Sequence, residues 1–254
     1  MRTVLQPREA WAYLRRGALS SRARRPSVGV WLRLPPAILL AVRTPLRRSP
    51  RPSWLYSVIA VLSWPVLRVV FRHRAEGRHL LPQEGGFVLA ANHWSNFDPW
   101  LLGIPLFPRR FLRFMAKSEL FWFPLGTIVT ACGAFPVRRG TRDEGALAKA
   151  VELCREGNVV VMFPEGTRRR KGLRKKHEAR WRSGAARIAL RASVPLVPAT
   201  AAGTDRLARL GPLRVAYGAP IALDDLSTLE LDEAAAAATE RLREAVLELE
   251  RSLA

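Results

Sequence analysis

The chain has 254 residues, and 48% of them are hydrophobic, which is enough for a sizeable core and excludes a wholly disordered protein. The 42 Lys and Arg outnumber the 21 Asp and Glu, giving a formal net charge of +21, so we expect a nucleic acid, an anionic membrane surface or a phosphorylated small molecule as partner. The two cysteines, Cys132 and Cys154, are too few for a disulfide framework and lack zinc-site spacing. We therefore expect a reducing, cytoplasmic setting and no structural metal.

The first 53 residues differ in composition from the rest of the chain. They contain twelve arginines, no lysine and a single acid, Glu9. Their longest uncharged apolar run, residues 34–42, is too short to span a bilayer. We interpret residues 1–53 as an Arg-rich, weakly ordered arm or an extension upstream of the true start, with a membrane-surface tether as the alternative.

An apolar segment follows the arm. Residues 54–71 carry one charge, Arg68, and are interrupted by Pro65, which puts them at the lower limit for a spanning helix. Arginines flank the run and tryptophans lie within it, as is typical of a helix in the membrane interface. We therefore predict such a helix over residues 54–74, with a core helix of a soluble domain as the alternative.

Strand and helix patterns alternate over residues 75–254. Apolar or β-branched runs predict strands, and spacings of three and four predict helices. The predicted strands are 87–92, 133–137, 158–164 and 194–200, and the predicted helices are a stretch within 110–140 and residues 143–157, 183–192 and 232–254. This alternation predicts one α/β domain with a mixed, mostly buried sheet flanked by helices.

His93 comes just past the predicted strand 87–92, in the stretch NHWSNFD. Open α/β sheets bind ligands at the carboxyl ends of their strands. An imidazole there can take a proton from a hydroxyl near neutral pH, and Asp98 could fix its tautomer and stabilise the imidazolium. The alternative is that Asp98 only caps a helix that begins at Pro99, beside an ordinary loop histidine.

A basic stretch follows the predicted strand 158–164, in the sequence FPEGTRRRKG. From Gly166 to Arg191 there are eleven Lys or Arg and one acid. Most of these cations are expected on a solvated face, but Arg168 follows a tight turn from which its guanidinium could grip a phosphate. Glu165 is an acid among cations, so it would either orient an arginine or bind a ligand hydroxyl.

Several common site types are disfavoured by the sequence. There is no G-x-S-x-G nucleophile motif, and Ala146 stands where a P-loop would have lysine. The stretch HEARW, residues 177–181, lacks the second histidine of a zinc-protease helix. Only Trp181 could stack a base within the basic stretch, which argues against a nucleic-acid-binding protein.

In that order, the blocks NHWSNFD, GAFPVRR, FPEGTR and VPLVP resemble those of the glycerolipid acyltransferases, the family of 1-acylglycerol-3-phosphate acyltransferases. The resemblance covers roughly residues 75–220 and implies a fold like that of glycerol-3-phosphate acyltransferase. The sequence departs from the family pattern at two positions, where Pro136 replaces an aliphatic residue and Arg169 replaces a serine. These departures leave the acceptor open.

The resemblance implies a role for each matching residue. His93 would be the general base, Asp98 its partner, and Pro195 part of the acyl side. The implied phosphate and glycerol ligands are Lys117, Arg138 (or, less well, Arg139), Glu165, Gly166, Thr167 and Arg168.

The implied reaction moves a fatty acyl group from acyl-coenzyme A or acyl carrier protein to the sn-2 hydroxyl of lysophosphatidate, giving phosphatidic acid. We expect no cofactor, no metal and no acyl-enzyme. The alternative acceptors are glycerol 3-phosphate, a lyso-ornithine lipid or another lysolipid. The implied partners are a lysophospholipid, the acyl thioester and an anionic membrane, with the enzyme peripheral or monotopic on the cytoplasmic face.

Overall fold

The computed structural model describes residues 51–138, 143–169 and 181–253. The predicted Arg-rich arm therefore lies almost wholly outside the described residues, as do Arg139 and most of the basic stretch that follows Arg169.

The described chain forms one seven-stranded sheet with helices on both faces. In chain order the strands are β1 (Arg74–Glu76), β2 (Phe87–Ala91), β3 (Leu112–Lys117), β4 (Ala134–Val137), β5 (Val159–Met162), β6 (Leu196–Ala202) and β7 (Arg214–Tyr217). The helices are α1 (Trp54–Val69), α2 (Asp98–Gly103), α3 (Leu125–Ala131), α4 (Glu144–Arg155), α5 (Gly184–Ala192) and α6 (Leu231–Leu253). Short 3-10 helices lie at Arg78–Leu80, Ile104–Leu106, Ser118–Leu120, Thr204–Arg209 and Asp224–Leu226.

The sheet is mixed, with the order β1-β7-β6-β2-β5-β3-β4. Strands β2 to β6 are all parallel, β7 is antiparallel to β6, and β1 is parallel to β7. The carboxyl ends of five parallel strands therefore meet at one edge of the sheet, which is where such sheets bind ligands.

The central strands are buried on both sides, which explains their unbroken apolar sequence. In β2, Phe87 and Leu89 join the core on one face, and Val88 and Ala90 join the core on the other. Helices α1 and α2 contribute to the first core, and α4, α5 and α6 contribute to the second. The α/β prediction with a mostly buried mixed sheet is confirmed by this arrangement.

Helix α1 is partly a core helix. Tyr56, Ala60 and Leu67 are buried against the first core, as the soluble-domain alternative required. Its outer face leaves large apolar side chains in solvent, with Trp54 76% and Leu62 67% exposed. Among the described residues, no helix is long and apolar enough to span a membrane.

Three strands were not identified from sequence. β1 and β7 have three and four residues, and each begins with an arginine, so neither forms the unbroken apolar run that identified β2 and β5. β3 lies within the stretch 110–140, for which a helix and one strand were expected. Pairing with β4 and β5 on either side makes it a strand, since tertiary context overrides weak local preference.

Candidate active site

His93 and Asp98 form a buried pair at the carboxyl end of β2. His93 Nδ1 lies 2.8 Å from Asp98 Oδ2, with the histidine 7% and the aspartate 0% exposed. Since a carboxylate only accepts, this geometry assigns the imidazole proton to Nδ1. Nε2 has no hydrogen-bond partner within the described ranges and is the nitrogen left to act on a substrate.

The Asp98 carboxylate is held from several sides. Oδ2 also accepts from the backbone N–H groups of Trp94 and Ser95, at 2.7 and 2.8 Å. These donors fix the position of the carboxylate, so Asp98 can orient the histidine. The helix-capping alternative is wrong, because α2 begins at Asp98 itself and no side chain caps it. The carboxylate is turned back to the histidine loop.

Thr204 is a site residue that the sequence did not reveal. Its Oγ1 donates to Asp98 Oδ1 at 2.6 Å, so the second carboxylate oxygen is also bound. Thr204 follows β6 directly after Gly203, whose φ of 94° favours glycine. A Cβ on Gly203 would lie 2.4 Å from the backbone oxygen of Pro212. A single threonine carries no pattern that would have identified it.

Phe163 is the second residue that was missed. Its ring stacks on the His93 ring, with centroids 4.0 Å apart and an interplanar angle of 18°. It precedes Pro164 in FPEGTR, so the motif was recognised and the role of its phenylalanine was not. The stacked ring fixes the plane of the imidazole and covers one of its faces.

The predicted cations Lys117 and Arg138 lie at the ends of neighbouring strands. Lys117 ends β3 and pairs in register with Val137 of β4, which Arg138 follows. Both cations are exposed. The Arg138 backbone N–H donates to Asp143 Oδ2 at 2.9 Å, and its Nε lies 4.0 Å from the same oxygen. The backbone contacts lower the pKa of Asp143, so the carboxylate is charged at neutral pH.

The turn after β5 carries the other predicted ligands. Gly166 has a φ of 70°, and its amide donates to Phe163 O at 3.0 Å. A Cβ there would lie 2.7 Å from Arg182 Nε, so only glycine fits without displacement. Thr167 and Arg168 follow and are exposed. The structure thus brings Lys117, Arg138 and Arg168 to the edge that carries His93.

Glu165 takes the first of its two predicted roles. Its side chain is fully buried, and Oε1 lies 2.7 Å from Nη2 of Arg169, while Oε2 accepts from Arg169 Nε at 2.9 Å. The carboxylate is therefore used to orient an arginine. That arginine is Arg169, which the sequence had set apart only as a departure from the family pattern.

Pro195 is not brought to this edge. It precedes β6, at the amino end of that strand, and its carbonyl oxygen accepts from Val88 N at 2.9 Å. Because β2 and β6 are parallel, this end is opposite the carboxyl end that carries His93. The acyl-side role of Pro195 stays a prediction.

Other reactive groups lie in unsuitable surroundings. The Ser95 hydroxyl accepts from Phe97 N at 3.3 Å. Burial raises the pKa of both thiols, that of Cys154 to about 12, so neither is an activated nucleophile. Within the described ranges, no three His, Cys, Asp or Glu side chains group as metal ligands would.

Comparison with known proteins points to the same family as the sequence motifs. The sequence pattern of the family described as Acyltransferase matches residues 48–202. The chain is 34% identical to a 1-acyl-sn-glycerol-3-phosphate acyltransferase of Bacillus subtilis (strain 168), over 68% of this chain and 85% of that protein. It is 31% identical to a protein of the same name from Limnanthes douglasii, over 71% of this chain and 72% of that protein.

A solved structure is also similar. The crystal structure of the 1-acyl-sn-glycerophosphate acyltransferase PlsC from Thermotoga maritima superimposes with a TM-score of 0.56 and 25% identity, covering 77% of this chain and 79% of that one. The chain therefore belongs to the acyltransferase family and, like the 1-acyl-sn-glycerol-3-phosphate acyltransferases that it resembles, is an O-acyltransferase.

Proposed function

We propose that this enzyme transfers a fatty acyl group from a thioester of coenzyme A or acyl carrier protein to the sn-2 hydroxyl of 1-acylglycerol 3-phosphate, giving phosphatidic acid. One observation supports this most directly: a buried His93–Asp98 pair lies on the same sheet edge as Lys117, Arg138 and Arg168. A base beside three cations suits an acceptor that carries both a hydroxyl and a phosphate. The names of the relatives point to the same acceptor.

The chemistry would run in one displacement. Nε2 of His93 accepts the hydroxyl proton as the hydroxyl oxygen attacks the thioester carbonyl carbon, and Asp98 stabilises the imidazolium that forms. The tetrahedral intermediate collapses, the carbon–sulfur bond breaks, and the imidazolium returns the proton to the departing thiolate. A well-placed base of this kind contributes roughly 10² to 10⁴ in rate.

The cations would fix the acceptor. Arg168 can present two parallel N–H groups to a phosphate, while Lys117 offers a point charge. Holding the phosphate sets the distance from the reacting hydroxyl to His93, so acceptor binding and catalysis use neighbouring strand ends.

We also propose that the enzyme works at a membrane surface through the outer face of α1. That face exposes Trp54, Leu62 and Val69, the last 76% exposed. Ser53, which precedes α1, donates from Oγ to Ala131 O of α3 at 2.7 Å, so the start of α1 lies beside the end of α3. Phe123, two residues before α3, is 85% exposed. Large apolar side chains in solvent are costly unless a partner covers them, and a lipid acceptor supplies that partner. The cytoplasmic face is the side on which we place the enzyme.

A panel of acceptors tests the proposed reaction. The purified enzyme is given labelled acyl-coenzyme A or acyl carrier protein with lysophosphatidate, glycerol 3-phosphate, a lyso-ornithine lipid or lysophosphatidylcholine. Lysophosphatidate should be acylated with the highest kcat/KM, and His93→Ala should lower turnover by about 10² or more. Preference for any of the other three acceptors would make the proposed acceptor wrong, and substantial turnover by His93→Ala would make the general-base assignment wrong.

A further inference from the structure

Arg169 lies one residue beyond Arg168 and connects separate parts of the chain. Its Nε donates to Oε2 of the buried Glu165, and its Nη2 lies 2.7 Å from Oε1 of the same carboxylate, as described above. Its Nη1 also lies 2.8 Å from Oε1 of Glu250, near the end of helix α6. Arg169 is 24% and Glu250 21% exposed in their side chains, so both charges are largely removed from water. Largely buried charges of this kind are retained only when each has its partner.

The same pair reaches both sides of the catalytic histidine. The backbone N–H of Arg169 donates to His93 O at 2.8 Å, and its guanidinium lies 5.1 Å from the ring centroid of Trp94. Asn92, which precedes His93, donates from Nδ2 to the same Oε1 of Glu250 at 2.7 Å. The loop is therefore held before, at and after the histidine.

Asn92 has a second set of contacts that continues this connection into the sheet. Its Nδ2 donates to Ala201 O at 3.1 Å, and its Oδ1 accepts from Ala201 N at 2.9 Å. Ala201 lies in β6, close to the strand end that leads to Thr204. Glu250 thus contacts Asn92, which the sheet already holds through Ala201. A contact at this position can therefore set the geometry of the loop that follows.

We propose that Arg169 and Glu250 form a positioning pair that fixes the His93 loop, residues 92–98, against the turn after β5, residues 163–168. Neither residue contacts the reacting atoms. The pair keeps the separation between Nε2 of His93 and the phosphate held at Arg168 constant, and it makes that separation depend on helix α6. The kinetic consequence rests on the proposed function, whereas the fixing of the loop does not.

An arginine is required for this geometry. The guanidinium is a planar fork with donors pointing in several directions, so one group binds both oxygens of Glu165, one oxygen of Glu250 and the face of Trp94. A lysine would keep the charge but could not make these contacts together. Arg169→Lys therefore separates the geometric requirement from the electrostatic one.

Hydrogen–deuterium exchange of the full-length protein tests the fixing of the loop. The variants are Arg169→Lys, Glu250→Ala and the milder Glu250→Gln, which keeps an oxygen for Asn92 and should fold even if the others do not. The control is Arg241→Ala, which removes a different arginine–carboxylate pair of α6, with Asp225. We expect amides of residues 92–98 to exchange about tenfold faster or more in Arg169→Lys and Glu250→Ala, less in Glu250→Gln, and unchanged in the control.

Protection of β5 amides serves as the internal reference for global unfolding. If residues 92–98 keep wild-type protection in all three variants, or if Arg241→Ala loosens them equally, the positioning pair is refuted. If β5 loses protection in Arg169→Lys and Glu250→Ala, those variants have unfolded globally. The proposal is then tested by comparing the protection of residues 92–98 in Glu250→Gln with that in Arg241→Ala.

Steady-state kinetics test the consequence for catalysis. Arg169→Lys should lower kcat about tenfold and raise the acceptor KM, with the thioester KM unchanged, because the distance between base and phosphate is no longer fixed. Glu250→Gln should change kcat and the acceptor KM in the same directions but by less. The double variant should be no worse than Arg169→Lys alone, since both residues act through one contact. If the two substitutions lower kcat multiplicatively in the double variant, the residues act independently and the proposed positioning pair is wrong. A wild-type enzyme inactive on lysophosphatidate would reject the proposed acceptor, while the exchange experiment still decides the positioning pair.

Discussion

Asp98 shows how one side chain can hold a loop together and also serve the proposed chemistry. One oxygen accepts from His93 and two backbone amides, and the other accepts from Thr204. A carboxylate with this many donors is fixed in place before substrate binds, which is what an orienting group requires. The cost of the burial of its charge is offset by hydrogen bonds that also shape the loop.

Thr204→Val tests the part of this network that the sequence did not reveal. Valine keeps the shape but removes the donor to Asp98, so we expect a loss of about 1 to 3 kcal/mol in the free energy of unfolding, as for hydrogen bonds to charged groups. We also expect kcat to fall by roughly threefold to tenfold, because the histidine is held less firmly. Denaturant unfolding and steady-state kinetics measure the two effects.

Thr200→Val is the matched control for that variant. Thr200 lies on β6, the strand that leads to Thr204, and is also buried, but its Oγ1 has no hydrogen-bond partner within the described ranges. Removing an unpaired buried hydroxyl should leave stability unchanged or raise it. Equal losses in Thr204→Val and Thr200→Val would show that the contact with Asp98 contributes nothing.

His73 predicts a pH dependence of stability. It is 3% exposed, and burial, with the nearby Arg68, lowers its pKa from 6.5 to about 4. Between these values the unfolded chain binds the proton and the folded one does not, so falling pH favours unfolding. The stabilising contribution is fully present above pH 6.5 and is lost as the pH falls towards 4.

Thermal unfolding of His73→Phe and of the exposed His79→Phe checks this. Other groups also titrate below pH 6, so the informative quantity is the difference between each variant and the wild type. His73→Phe should show a Tm that falls less steeply than the wild type over this window, while His79→Phe should follow the wild type. Parallel curves for all three proteins would make the assignment to His73 wrong.

At the scale of elements, segments with a strong apolar pattern were predictable and those without one were not. β2, β5 and β6 are apolar runs bounded by turn residues, and α4 is capped by Asp143 and has apolar residues at helical spacing. These patterns follow from burial alone. β1 has the sequence RAE, which exists as a strand only because β7 lies beside it.

The residues of the candidate site fall into the same two groups, those that the sequence predicted and those that it did not. His93, Asp98 and FPEGTR could be predicted because each lies at the end of a strong strand and matches a motif. Thr204, Phe163 and Glu250 could not, since each acts through a contact set by the fold. Asn92 and Glu250, for example, are 158 residues apart in sequence. Pro195 belongs to a matching block, but the strand direction places it at the opposite end of the sheet.

The exposed face of α1 makes a prediction at the same scale. Leu62→Glu puts a charge on the outer face, 67% exposed, without disturbing the residues that α1 buries. Binding to vesicles of phosphatidylcholine with phosphatidylglycerol should weaken by about tenfold, since the lost apolar contact is worth more than 1 kcal/mol. Circular dichroism and Tm should remain those of the wild type.

Leu229→Glu provides the comparison for α1. Leu229 is 43% exposed and lies outside α1. Its replacement by glutamate adds the same charge to the protein as Leu62→Glu does. Vesicle sedimentation should show wild-type binding for it. Equal weakening by both substitutions would mean that net charge alone, and not the α1 face, controls association.

For the whole molecule, charge and apolar surface act together. We expect the net charge of +21 to attract the enzyme to anionic lipid, at roughly 1 kcal/mol for each Lys or Arg close to the surface. This attraction does not discriminate between faces of the protein. In the proposed binding mode the α1 face would supply the orientation, because only an apolar surface gains by entering the acyl boundary.

Salt separates these two contributions. The Debye length falls from about 10 Å at 0.1 M to about 3 Å at 1 M, so binding to anionic vesicles should weaken by at least about tenfold over that range. Leu62→Glu should show the same salt dependence from a weaker starting affinity, since its apolar contact is lost and its basic surface is nearly intact. Sedimentation with vesicles of pure phosphatidylcholine gives the salt-independent part. If wild-type binding is the same with and without anionic lipid, and at both salt concentrations, then apolar insertion alone holds the enzyme at the membrane and the basic surface serves only the acceptor.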